Sequence, residues 1–134
     1  MTGIADTGFL VAFANRRDTH FPWALALADH IQEPLLTCEA VLAETAYHLK
    51  NCGLVLRMME TGLIRLAFEI DNHCPEITAL AKRYANRQPD LADLCLIRMS
   101  ELNPQLPVIT VDSDFLIYRR NQRETIPVIM PPEK

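Results

Sequence analysis

No C-x-x-C pair occurs among the four cysteines; Cys38, Cys52, Cys74 and Cys95 are spread along the chain. Such spacing argues against a zinc ribbon, and the apolar neighbours of each Cys predict buried thiols in a reducing compartment. No apolar run approaches the length of a membrane span: the first uncharged stretch, Gly8 to Ala14, is far too short. A signal peptide is not expected either, because Asp6 interrupts the first apolar stretch and no basic segment precedes it. There is no internal repeat, no low-complexity segment and no Gly/Ser-rich linker. An excess of positive charge is also lacking, with 13 Lys and Arg against 17 Asp and Glu, a net charge of −4. That balance argues against a general polyanion-coating protein. What remains is the expectation of one domain over residues 1–134, cytoplasmic and without membrane attachment, with 49% hydrophobic residues to build a core.

Most of the nine prolines punctuate the chain, so the elements between them should be short. Gly3 to Ala5 reads as a buried strand, followed at once by Asp6-Thr7 and a helix through Phe9–Ala14. Phe21 to Ile31 reads as a helix with Thr19 as its cap and Pro22 in its first turn. Leu35–Thr37 is a brief strand. Cys38 to Lys50 carries Val41, Leu42, Thr45 and Leu49 at helical spacing, and Leu54 to Glu60 continues as another short helix. Leu63 to Ile70 alternates like a strand. Helices are expected from Asn72 to about Ala85 and from Asp90 through Leu102, and strands over 108–111 and 126–130. Short apolar strands alternating with helices imply an α/β fold, a three-layer sandwich with a short central parallel sheet flanked by helices.

Ligands in such folds bind outside the carboxyl ends of the strands. Asp6 follows the first strand and Asp112 follows the 108–111 strand, so both should emerge at one sheet edge. Glu44 sits in the apolar run 40–43, and Asp90 and Asp93 lie three apart near the start of one helix. Taken singly, each acid has a plain structural reading: Asp6 and Asp90 as helix caps, Glu44 as a solvent-facing helical residue, Asp112 and Asp114 as turn residues. Taken together, they converge. Two unit charges 4 Å apart repel by about 4 kcal/mol at an effective dielectric of 20. Such a cluster therefore keeps some of its protons or holds a divalent cation. Hard oxygen donors with no His or Cys at matching spacing favour Mg²⁺ or Mn²⁺ over Zn²⁺.

In order, Asp6-Thr7, Glu44 within VLAETAYHL, DLADLCLI around Asp93 and TVDSDF at Asp112 resemble the motifs of the PIN-domain ribonucleases, with the VapC-type toxins of toxin–antitoxin pairs as the nearest relatives. The resemblance spans Gly3 to Tyr118. It implies catalytic and metal-binding roles for Asp6, Glu44, Asp93 and Asp112, and supporting roles for Thr7, Asp90 and Asp114. Gly8 departs from the pattern, standing where a Ser is common. The implied activity is Mg²⁺- or Mn²⁺-dependent hydrolysis of RNA, with an antitoxin protein and a second copy of the chain as partners. Arg16, Arg17, Arg119 and Arg120 are candidates for phosphate contact, and equally for solvated surface charge. His20, His30, His48 and His73 read as structural or surface residues. Trp23 reads as core packing, although its helix contributes to partner contacts in that family.

Three rival readings stand beside this one. Asp6-Thr7-Gly8 matches the catalytic triplet of aspartic proteases, a nearly all-strand fold. A phospho-acceptor receiver domain would need a lysine near its last strand, where this chain has none before Lys134. The third is a catalytically silent PIN-fold RNA-binding or scaffold protein.

Overall fold

The computed structural model describes residues 1–132. Lys134 therefore lies outside the described residues, as does the end of the expected domain. Five short parallel strands form the central sheet: β1 (Ile4–Ala5), β2 (Leu35–Thr37), β3 (Ile64–Leu66), β4 (Val108–Ile109) and β7 (Val128–Ile129), in the spatial order β3-β2-β1-β4-β7. The registers pair Ile4 with Leu36 on one side and with Val108 on the other. Successive strand residues point to opposite faces, yet Ile4, Ala5, Leu35, Leu36, Val108 and Ile109 are all buried. Both faces are therefore covered by helices, the three-layer arrangement anticipated from the apolar strands.

The helices are α1 (Thr7–Ala14), α2 (Phe21–Ala28), α3 (Glu39–Leu49), α4 (Cys52–Glu60), α5 (Cys74–Arg83) and α6 (Leu91–Leu102). Buried Phe9, Leu10, Leu96, Ile97 and Met99 bring α1 and α6 into the core. Trp23 packs there too, its ring edge-on to Phe9 at 5.8 Å. Among the described residues no helix is long and apolar enough to cross a membrane.

The chain runs from β1 outward through β2 and β3, then returns to the other side of β1 to form β4 and β7. The order therefore reverses between β1 and β4, and a crevice opens at their carboxyl ends, the usual ligand position of an open α/β sheet. Asp6 and Asp112 follow those two strands. The parallel sheet also excludes the strand-rich protease reading of Asp6-Thr7-Gly8.

Several local expectations need correction. The strand expected over Leu63–Ile70 stops at Leu66 because its partner β2 ends at Thr37; Ala67 N–H donates the last ladder bond to Thr37 O. Residues Ile70–His73 form a 3₁₀ turn instead. Thr19 does not cap α2: His20 holds that position with no side-chain cap, and the helix ends at Ala28. Cys52 and Cys74 are exposed at the first residues of α4 and α5, whereas Cys38 and Cys95 are buried as expected, and all four thiols are free. A hairpin of β5 (Arg119–Arg120) and β6 (Glu124–Thr125) was not anticipated. Its three-residue loop, Asn121 to Arg123, places Asn121 and Gln122 at φ 47° and 73°, in the left-handed region that tight hairpin connections use.

Candidate active site

Asp6 is the hub of the crevice. Standing at the N-cap of α1, it accepts the Thr7 N–H on Oδ1 at 2.7 Å and the Thr110 hydroxyl on Oδ2 at 2.6 Å. Burial holds its carboxyl up at about 6 against an ordinary 3.8; the Asp112 and Asp90 charges push the same way, while the two hydrogen bonds resist. Thr110 links two acids, because its Oγ1 also accepts the Asp112 N–H at 2.9 Å. Thr7 reaches sideways from α1 to α3, donating its hydroxyl to Glu44 Oε1 at 2.8 Å. Glu44 is raised above its ordinary value, first by burial, with Asp90 and Asp6 adding to the effect.

Helix α6 supplies two more carboxylates. Asp90 is its N-cap, accepting the Asp93 N–H on Oδ1 at 2.8 Å. One turn inward, Asp93 is 9% exposed and accepts the Tyr118 hydroxyl on Oδ2 at 3.2 Å. Burial lifts Asp93 to about 8, assisted by the charges of Asp90, Asp6 and Asp112. Asp112 caps the 3₁₀ turn Ser113–Leu116 by accepting the Asp114 N–H. The capping reading of Asp6 and Asp90 and the turn reading of Asp112 thus hold, since one carboxylate oxygen of each serves the backbone.

These groups line a cavity of about 310 Å³ in which Asp6, Asp18, Glu44, Asp90, Asp93 and Asp112 converge. Among the described residues no Lys or Arg lines it. His20 and His48 stand at its walls, and with Asp18 they are cavity residues that sequence reasoning missed: Asp18 and His20 lie in no motif, and His48 closes the stretch VLAETAYHL that was read for Glu44 alone. Thr110 was overlooked too, although its place two residues before Asp112 was a usable signal.

Gly8 lines the same cavity. A Cβ at position 8 would lie 2.3 Å from Val111 Cγ2, so Val111 fills the space that a side chain would need there. The departure from the Ser of the motif thus has a packing cause. Val is stiff at χ1 and cannot swing its methyl away cheaply.

The remaining candidates lie apart. Asp114 turns away to pair with Arg87 at 3.1 Å. Arg119 folds back on the carbonyls of Leu116, Ile117 and Tyr118. Arg120 requires correction as a phosphate ligand: it is 4% exposed, and its guanidinium is tied to Ser100 O and Oγ, Pro104 O and Glu124. Arg16 and Arg17 are exposed in the turn that leads to Asp18 and His20. A second, mostly apolar cavity of about 520 Å³, lined by Phe13, Ile31, Leu54 and Met58 among others, lies by the amino ends of β2 and β3, away from the acids.

Among the described residues, as the side chains stand, no three His, Cys, Asp or Glu are grouped so as to hold a metal ion. The donor chemistry nonetheless fits a hard divalent cation: six carboxylates and a threonine hydroxyl outnumber the two imidazoles, His20 and His48, and no thiol lines the cavity. Burial is the main cause of the raised Asp6 and Asp93 carboxyls, and neighbouring acids add to it: Asp112 and Asp90 at Asp6, and Asp90, Asp6 and Asp112 at Asp93.

The PIN domain family model matches residues 4–121. No curated protein matches by sequence. Among solved structures, the chain is similar to the crystal structure of Mycobacterium tuberculosis VapC20, described as a sarcin-ricin loop cleaving toxin. The TM-score is 0.71 at 18% sequence identity, covering 85% of this chain and 92% of that one.

Proposed function

Because this chain belongs to the PIN-domain family, we propose that its acidic cavity is the centre of an endoribonuclease that hydrolyses RNA phosphodiester bonds with Mg²⁺ or Mn²⁺. One observation carries the reading. Six carboxylates line one cavity with no Lys or Arg among the described residues of its lining, and two of them, Asp6 and Asp93, are held at about 6 and 8. A polyanion approaching so negative a cavity is repelled unless cations are present. Asp6, Glu44, Asp93 and Asp112 are the residues that would hold the metal. A bound Mg²⁺ or Mn²⁺ supplies charge neutralisation at the scissile phosphate and acidifies a coordinated water.

The chain's own groups prepare that site. Thr110 fixes the direction of the Asp6 carboxylate and the position of the Asp112 backbone, and Thr7 holds Glu44 across the α1–α3 gap. Tyr118 orients Asp93. Glu44, raised above its ordinary value yet still reached by water, is the carboxylate suited to accept a proton from the attacking water. The likeness to VapC20, described as a toxin, supports a role as a toxin; an antitoxin protein and a second copy of the chain are the partners that the family resemblance implies.

The test is cleavage of a mixed RNA pool in Mg²⁺ or Mn²⁺ by the wild type, with an EDTA control and Asp6→Asn. Cutting that needs metal and vanishes in Asp6→Asn is the expected result. Folded protein that neither cuts RNA nor binds Mn²⁺ by calorimetry would overturn the catalytic reading and leave a silent PIN-fold scaffold.

A further inference from the structure

Helix α3 carries more than Glu44. At 3.6 residues per turn, Tyr47 and His48 stand three and four residues on, one turn away along the same side. His48 lines the acidic cavity and also the neighbouring groove of about 640 Å³, whose walls include Ala43, Ala46, Tyr47 and Lys50. The groove is therefore continuous with the cavity through one imidazole. Tyr47 is 78% exposed, more than any other large apolar side chain among the described residues, and its ring meets His48 edge-on at 5.6 Å.

A single exposed aromatic residue is unremarkable on most surfaces. Here it sits one helical turn from an acid of the cavity, beside exposed Lys50. The groove that shares His48 with the carboxylate-lined cavity thus offers a π-face and a cation side by side. Bases of any identity stack on such a face, but only when they are not already stacked within a duplex.

We infer that Tyr47, braced by His48, is a stacking platform for an unpaired nucleobase next to the cleaved bond, with Lys50 meeting that nucleotide's phosphate. The inference rests on the nuclease reading above and deepens it by naming the residue that holds the base beside the cleaved bond.

Binding tests it separately from cutting. Fluorescence anisotropy of a labelled unpaired RNA and of its duplex would be titrated with Asp6→Asn protein, which removes one cavity charge. The same titrations would use that protein also carrying Tyr47→Ala or Tyr47→Trp. Tyr47→Ala should weaken unpaired-strand binding roughly 5- to 150-fold, the range of one lost base stack, with the duplex unaffected. Tyr47→Trp should bind within about twofold of the parent, since it restores the stack. Equal affinity for the Ala variant, or no binding of the unpaired strand by the parent, overturns the platform. So does a change of oligomeric size on Tyr47→Ala by sedimentation, which would assign the ring to a contact between copies. If wild-type cleavage survives such a result, the nuclease reading stands alone; if wild type neither cuts nor binds RNA, both fall.

Discussion

Two places in this protein bury charge, and they treat it in opposite ways. Arg120 is buried with every need met: Ser100, Pro104 and Glu124 all accept from its guanidinium, and it pins the 119–125 hairpin to α6. Asp6 and Asp93 are buried with hydroxyl and amide donors but no cation, among acids that raise them further. Burial of an ion is costly unless it is compensated, and folding alone gives no reason to keep several like charges together. The compensated charge is architecture. The acidic cluster, which no Lys or Arg joins among the described residues, is where the proposed metal ion would complete the structure.

The contrast can be broken from either side. The largest effect is expected on catalysis: Asp93→Asn should lower metal-dependent RNA cleavage by about 10³-fold or more, read in single-turnover assays. Above about pH 8, where Asp93 is ionised, the same substitution should leave the metal-free protein folded and at least as heat-stable, since it removes a penalised charge. Arg120→Ala should do the reverse. It strands the Ser100 and Pro104 carbonyls and costs on the order of 2–4 kcal/mol, seen as a lower urea midpoint at unchanged slope.

Next in size is pH. Asp6 and Asp93 have folded values of about 6 and 8, above the ordinary 3.8. Their contribution to stability is therefore complete below about pH 4 and is lost as pH rises through about 6 and then about 8. In EDTA the wild type should melt at a lower temperature at pH 8.5 than at pH 5.5, and Asp93→Asn should flatten the upper part of that fall. Glu124, lowered by its hydrogen bonds to Arg120 and Asn121, acts with the opposite sign, its contribution fading as the solution is acidified. Smaller still is Gly8→Ser, which should cost about 1–3 kcal/mol by overpacking against Val111; Val111→Ala in the same chain should recover part of that loss in chemical denaturation.

The acids were legible because each interrupts apolar sequence. Asp6 and Asp112 end buried strands, and Asp93 sits among Leu91, Ala92, Leu94 and Cys95, where a carboxylate has no reason to be unless something meets it. Parallel topology then brings them together without further information. The arginines were not legible in this way. Arg119 and Arg120 are adjacent and look alike in sequence, and only the distant Ser100 and Pro104 carbonyls decide that one is buried. Strand β3 shows the same limit: 63–70 alternates well, but how far a strand extends depends on its neighbour, and β2 offers only three residues. Thr110 and Tyr118 escaped notice because their value lies in one hydroxyl aimed across the fold at Asp6 or Asp93.

The most direct test of the central claim is thermal melting at pH 8 with and without Mn²⁺, in the wild type and in Asp93→Asn. The buried acids predict that Mn²⁺ raises the wild-type melting temperature, by about 2.7 kcal/mol of added stability at a hundredfold excess over Kd, and that Asp93→Asn loses most of the rise. A wild type indifferent to Mn²⁺, or an equal rise in both proteins, would contradict it.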